Sequence, residues 1–209
     1  AALISYKDSV QFEKSSKPER EIISRHSTLN IINVHNGVSK EELKNFIKSY
    51  ARSDKRFLTS LKVQFARKVI LADNEKKYKS LLDSVIRPIA TDKNVIKISD
   101  VKTLLNITDD FYFQAQDSLA LAEYGEAFDL CKVTLSKLCY VYQYSTHLLP
   151  ELEKQILHNH ILLRQLLVES ESHELLENII EYLNTLIQFS YYPFLNLKEN
   201  GITLLYEFN

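Results

Sequence analysis

Glycine is nearly missing from this chain, with three in 209 residues, and proline is scarce at four. Strand-rich and α/β folds need glycine at tight turns and phosphate loops, so the shortage points to helices joined by short polar loops. No apolar run approaches the roughly 20 residues of a membrane-spanning helix. The first residues, AALISYKDSVQFEK, lack the basic region and apolar core of a signal peptide. Only Cys131 and Cys139 are cysteines, and both fall in one expected helix. Eight helical residues separate them by about 12 Å, too far for a disulfide, and a reducing cytoplasm fits best. Methionine is absent, even at position 1. That points to a fragment, a processed product or a sequence that has lost modified methionines.

What is present is an ordinary globular mixture, 45% hydrophobic and 25% charged, enough for one large domain or two small ones. Lys plus Arg number 26 against 27 Asp plus Glu. That balance argues against a dedicated nucleic-acid binder, whose affinity rests on phosphate neutralisation. Tyr and Phe, 12 and 10 in number, supply packing mass for wide helix–helix contacts.

Capping residues mark the helices. Pro18 opens a first candidate. The run LNIINVHNG at 29–37, ending in Asn36-Gly37, reads as the one extended segment. Ser39 and Glu42 form a capping box before Leu43, Phe46, Ile47 and Tyr50. Asp54 caps a helix carrying Phe57, Leu58, Leu61, Phe65 and Val69. Asp73 or Asn74 starts another, with Pro88 in its last turn. A linker at 90–99 precedes a long helix capped by Ser99 or Asp100 and running to about Tyr124, where Gly125 is the expected break. Pro150 and Ser172 open two further helices, and Tyr191-Tyr192-Pro193 ends the last. The expected organisation is a partly irregular 1–38 segment and an all-helical domain over 39–209, with a sub-boundary near 90–99. The fold class is all-α: antiparallel hairpins stacked as a short α-solenoid or an irregular bundle.

No motif for chemistry stands out. Phosphate-loop, dinucleotide and nucleophile-elbow patterns are absent. His158 and His160 point about 200° apart on a helix and cannot share one metal. Neither cysteine has a CxxC partner, and both read as small core residues. Asp109-Asp110 diverge by about 100° and read as a solvated face, and Asn106-Ile107-Thr108 is an accidental glycosylation match. No catalytic residue, cofactor or metal is expected, and the chain reads as a non-enzyme. Tyr124, Tyr142 and Tyr144 are the candidate residues for binding a protein partner. Arg52, Lys55, Arg56, Lys62, Arg67 and Lys68, continuing to Lys76, Lys77 and Lys79, form a basic stretch that offers an alternative, nucleic-acid-binding face.

SKEELKNFIKSYARSDKRFLTSLKVQFA, then KKYKSLLDSVIRPI, then ALAEYGEAFDLCKVTLSKLCYVYQ with its Gly125, Ala127 and Phe128, resemble the helical region downstream of SWIM zinc fingers in bacterial proteins. The resemblance spans about 39–190. The last hairpin is also similar to a tetratricopeptide unit. A SWIM finger needs a CxC pair and a CxH, and this chain has neither. The resemblance therefore implies a helical companion domain, a protein-interaction scaffold without its metal module, and carries over no zinc or nucleic-acid site.

Overall fold

The computed structural model describes residues 30–86 and 96–188. The helix from Pro18, most of the 90–99 linker, Pro88, Tyr191-Tyr192-Pro193 and the tail to Asn209 lie outside those residues. All regular structure among the described residues is helical, as the glycine shortage and the capping pattern predict. The chain divides into two compact units, one up to Ser53 and one from Asp54 onward.

The first unit holds α1 (Ile31–Gly37) and α2 (Lys40–Ser53). The expected strand at 29–37 is instead α1. The Asn30 side chain accepts from the Asn33 amide at 2.9 Å, and this cap decides the conformation over the β-branched run. The Ser39–Glu42 capping box forms reciprocally. The Glu42 amide donates to Ser39 Oγ at 3.2 Å, and the Ser39 amide donates to Glu42 Oε2 at 2.8 Å. Phe46 and Tyr50, one turn apart, stack with centroids 5.7 Å apart.

The second unit comprises α3 (Lys55–Phe65), a 3-10 turn at Ala66–Lys68, α4 (Asn74–Val85), α5 (Ile98–Ala120), α6 (Tyr124–Tyr144), α7 (Leu149–Glu169) and α8 (His173–Gln188). Asp54 caps α3 by accepting from the Arg56 and Phe57 amides, and Asp73 caps α4 by accepting from Lys76. Pro150 sits in the first turn of α7, and Ser172 Oγ accepts from the Leu175 amide at the start of α8. Neither Ser99 nor Asp100 caps α5. The helix starts one residue earlier at Ile98, and Lys97 supplies no side-chain cap. Asp100 instead places its charge in the first turn, where the helix dipole favours it.

Within this unit every substantial helix contact joins a helix to its successor or to its next-but-one neighbour. Side-chain pairs give the directions. Cys131 Sγ lies 3.1 Å from the Asn159 carbonyl while the Tyr142 hydroxyl reaches Glu153, so α6 and α7 run antiparallel. Glu75 pairs with Lys132 and Asp83 with Lys137, so α4 and α6 run parallel. Gln155 donates to the Leu105 carbonyl and His158 stacks on Tyr112, so α5 and α7 run parallel too. Hairpins α3–α4, α5–α6 and α7–α8 thus stack in two layers, α3, α5 and α7 in one and α4, α6 and α8 in the other. This is the connectivity of a short α-solenoid.

The α5–α6 reversal departs from the glycine rule. α5 ends at Ala120 rather than near Tyr124, and Gly125 lies inside the first turn of α6. The left-handed position belongs to Ala122, at φ 58°. The Glu123 amide donates to the Ser118 carbonyl at 2.8 Å, and the Ala122 amide donates to Leu119 at 2.9 Å. These two bonds are the Schellman pattern, whose left-handed residue is usually glycine. The strain at Ala122 is of order 1 kcal/mol, and a Cβ at Gly125 would meet nothing within 4 Å. Ala122→Gly should therefore stabilise the fold by about 1 kcal/mol and Gly125→Ala by about 0.5 kcal/mol. Urea unfolding followed by circular dichroism measures both, and a loss of stability on Ala122→Gly would contradict the turn geometry.

Candidate functional site

α4 and α6 are joined at both ends and open between them. At the first end Glu126, in the first turn of α6, accepts hydrogen bonds from Asn74 and from the Tyr78 hydroxyl, with Lys77 Nζ 3.5 Å away. Lys77 Nζ also donates to Asn74 Oδ1 at 2.9 Å and to the Val69 carbonyl at 3.2 Å. Burial, and then the Glu126 carboxylate, push the Tyr78 hydroxyl pKa well up. At the other end Lys137 reaches across from α6. Its Nζ donates to Asp83 Oδ1 at 2.8 Å and to the carbonyl of Ile86, the C-terminal cap of α4. A cation there suits the negative end of the helix dipole.

Between these clamps lies a groove of about 220 Å³. α4 contributes Glu75, Lys79, Leu82 and Asp83, and α6 contributes Lys132, Val133, Ser136, Lys137 and Tyr140. Both sets repeat at three-, four- and eight-residue intervals, which is one helix face each. Leu82 and Val133 are buried hydrophobic residues on its walls. Lys132 Nζ donates to Glu75 Oε2 at 2.8 Å and hangs 5.8 Å from the Phe128 and Tyr182 rings. The α8 residue Tyr182 donates to the Lys132 carbonyl and shares a 2.7 Å hydrogen bond with Ser136. Lys79 is exposed and forms no ion pair among the described residues.

The candidate tyrosines do not form one patch. Tyr124 and Tyr142 share a helical azimuth but lie about 27 Å apart along α6. Tyr142 turns to α7, where its hydroxyl donates to Glu153 Oε1 at 2.5 Å. That hydrogen bond, more than burial, pushes its pKa up to about 12. Tyr144 is exposed and lies against Tyr140, centroids 5.0 Å apart, so it extends the groove's aromatic end. The basic stretch also disperses. Lys55 and Lys62 share one face of α3, while Arg56 lies about 100° round the helix. Arg67 pairs with Glu123 at 2.6 Å, and Lys77 is buried against Glu126. Acids of the α5–α6 turn and the start of α6 thus balance part of this stretch. Lys68 is exposed, and Arg52 belongs to the first unit.

Cys131, Cys139 and His160 are buried packing residues. Burial puts the Cys139 thiol up at about 12 and raises Cys131 further, which keeps both protonated and unreactive. His160 is buried, its pKa pushed down to about 4 by burial and then by Arg164, while His158 is half-buried against Tyr112. No group of three or more His, Cys, Asp or Glu among the described residues is arranged to hold a metal. No described helix is long and apolar enough to cross a membrane.

The groove was missed in the sequence. The signal was there: acidic and basic residues at 75, 79 and 83 and polar ones at 132, 136 and 140, each series at a four-residue interval. The sequence does not say that these two faces meet. Comparison with protein-family models, with curated proteins and with solved structures finds no match for this chain.

Asp129 gives a test of this region's electrostatics. Burial, followed by the Glu126 and Glu75 carboxylates, raises its pKa to about 6, against the pull of Lys132. An unfolded aspartate releases its proton near pH 4. Between about pH 4 and 6 the folded form therefore binds the extra proton, and the charge destabilises the fold in full only above pH 6. Asp129→Asn should stabilise the protein by about 1–2 kcal/mol at pH 7, after discounting for solvent screening. The gain should fade to nothing by pH 4. Urea titrations of both proteins across that range measure it, and a pH-independent difference would contradict the assignment.

Proposed function

We propose that this chain is a non-catalytic helical scaffold that binds another protein through the groove between α4 and α6. The observation that carries the reading is the groove's construction, with Val133 and the Tyr140 ring set between charged side chains and Tyr144 beside them at one end. Protein interfaces combine an apolar centre with a polar rim and are enriched in tyrosine. The volume of about 220 Å³ falls below the roughly 300–1,000 Å³ of pockets that enclose whole small molecules, and suits one or two side chains of a partner. The neutral balance of the chain and the pairing of Arg67 with Glu123 and of Lys77 with Glu126 weigh the same way. The resemblance to helical regions beside SWIM fingers adds that the scaffold serves as companion to a zinc module.

Affinity capture from cell extract, with quantitative mass spectrometry, tests the reading. Ser136→Arg fills the groove, and Glu171→Arg alters a distant exposed position as a control. At least one partner should be retained by wild type and by Glu171→Arg but fall about tenfold with Ser136→Arg, since a blocked interface centre costs about 1.4 kcal/mol or more. An unchanged set of partners would sink the reading. Salt-sensitive retention of nucleic acid that is lost on Lys55→Glu and Lys62→Glu would replace it with the basic-face alternative.

A further inference from the structure

The groove's charges say what kind of segment it takes. Three lysines line it, Lys79, Lys132 and Lys137, against two carboxylates, Glu75 and Asp83. Asp129, outside the lining but near enough to Lys132 to feel its charge, offsets the third lysine overall, so the ion pairs decide which cation is left unneutralised. Lys137, its side chain only 9% exposed, is held by Asp83 and the Ile86 carbonyl, so it belongs to the wall. Lys132 is 31% exposed and gives one hydrogen bond to Glu75. Its ammonium also lies 5.8 Å from the Phe128 and Tyr182 ring centroids and draws on the Asp129 carboxylate, so Lys132 is committed within the fold. Lys79 is exposed and has no ion-pair partner among the described residues. The free positive potential therefore sits at Lys79, on the same groove as Val133.

We infer that the groove takes an acidic peptide segment of the partner protein, with a carboxylate side chain next to an apolar one. The inference rests on the protein-binding reading and names the partner's chemistry. The carboxylate pairs with Lys79, and the apolar side chain lies over Val133 and the Tyr140 ring. Tyr140, with the Lys137 ammonium 5.5 Å from its ring centroid, closes the other end with a face suited to an aromatic or aliphatic neighbour. A basic peptide would set its charge against an unneutralised lysine. A wholly apolar one would leave the rim ions desolvated without compensation.

A random dodecapeptide library displayed on phage, panned on the immobilised full chain, tests this. Peptides recovered should carry Asp or Glu within two residues of Leu, Ile or Phe. A fluorescein-labelled copy of a recovered peptide should bind more weakly as sodium chloride is raised. Lys79→Glu should weaken that binding about three- to tenfold, and Ser136→Arg should abolish it, with wild-type helicity in both variants. Should Ser136→Arg not fold, Lys79→Glu decides alone, because that side chain is exposed and forms no ion pair. Recovered peptides that lack acids but are lost on Ser136→Arg would overturn the acidic specificity and leave the protein-binding groove standing. Indifference to Lys79→Glu would overturn it equally. Failure to recover any peptide, or recovery of peptides that ignore Ser136→Arg, would overturn both the specificity and the groove as the binding site.

Discussion

The second unit depends on burying α6 from almost every side. Eleven of its 21 residues are buried, and they are spread round the helix rather than along one stripe. A helix so enclosed needs neighbours on several flanks, and α4, α5, α7 and α8 supply them. The same enclosure explains the odd chemistry on α6. Cys131 and Cys139 are small buried side chains in this enclosed helix, and the Cys131 thiol satisfies itself on the Asn159 carbonyl of α7. Lys137 is tolerated in the interior only because a carboxylate and a helix-end carbonyl meet it there.

That packing creates the groove. α4 and α6 are next-but-one neighbours in the stack and run parallel in one layer, with no loop to close them together. Their contact is set by Glu126 at one end and Lys137 at the other, each satisfying donors or acceptors at a helix terminus. Between the clamps the Lys132–Glu75 pair spans the gap with long side chains instead of small apolar ones. Ser136 adds little bulk, and the space beside Val133 and Tyr140 stays open. The groove is thus a by-product of where the polar anchors sit, and its charge follows from which lysines those anchors use.

The sequence reveals the helices well because their signals are local. Asp54, Asp73, Ser39 and Ser172 announce helix starts within three residues, and all four act as caps. The misreadings are also local, and each has a competing physical cause. At 29–37 the Asn30 cap outweighs a β-branched run. At the α5–α6 turn, hydrogen bonds from the Ala122 and Glu123 amides put alanine in the position that glycine usually takes. The groove is of another kind. Glu75 and Lys132 are separated by most of two helices, and no local rule brings them together. Tyr142 shows the same limit, since its pairing with Glu153 depends on the α6–α7 register.

The ion pairs of the α4–α6 contact set register more than they add stability. Lys77 and Lys137 are nearly buried, and withdrawing an ammonium from water costs several kcal/mol before any pairing returns it. Apolar residues in their places would pack α4 against α6 at no such cost. They would also let the helices slide by a turn, because leucine against leucine is satisfied at many offsets, whereas Lys137 is satisfied only where Asp83 and the Ile86 carbonyl coincide. A slide of one turn would move Lys79 by about 5.4 Å along the groove and take its charge away from Lys132. Fixing that offset is what lets a shallow, side-chain-sized groove present an apolar wall and a cation in constant relation.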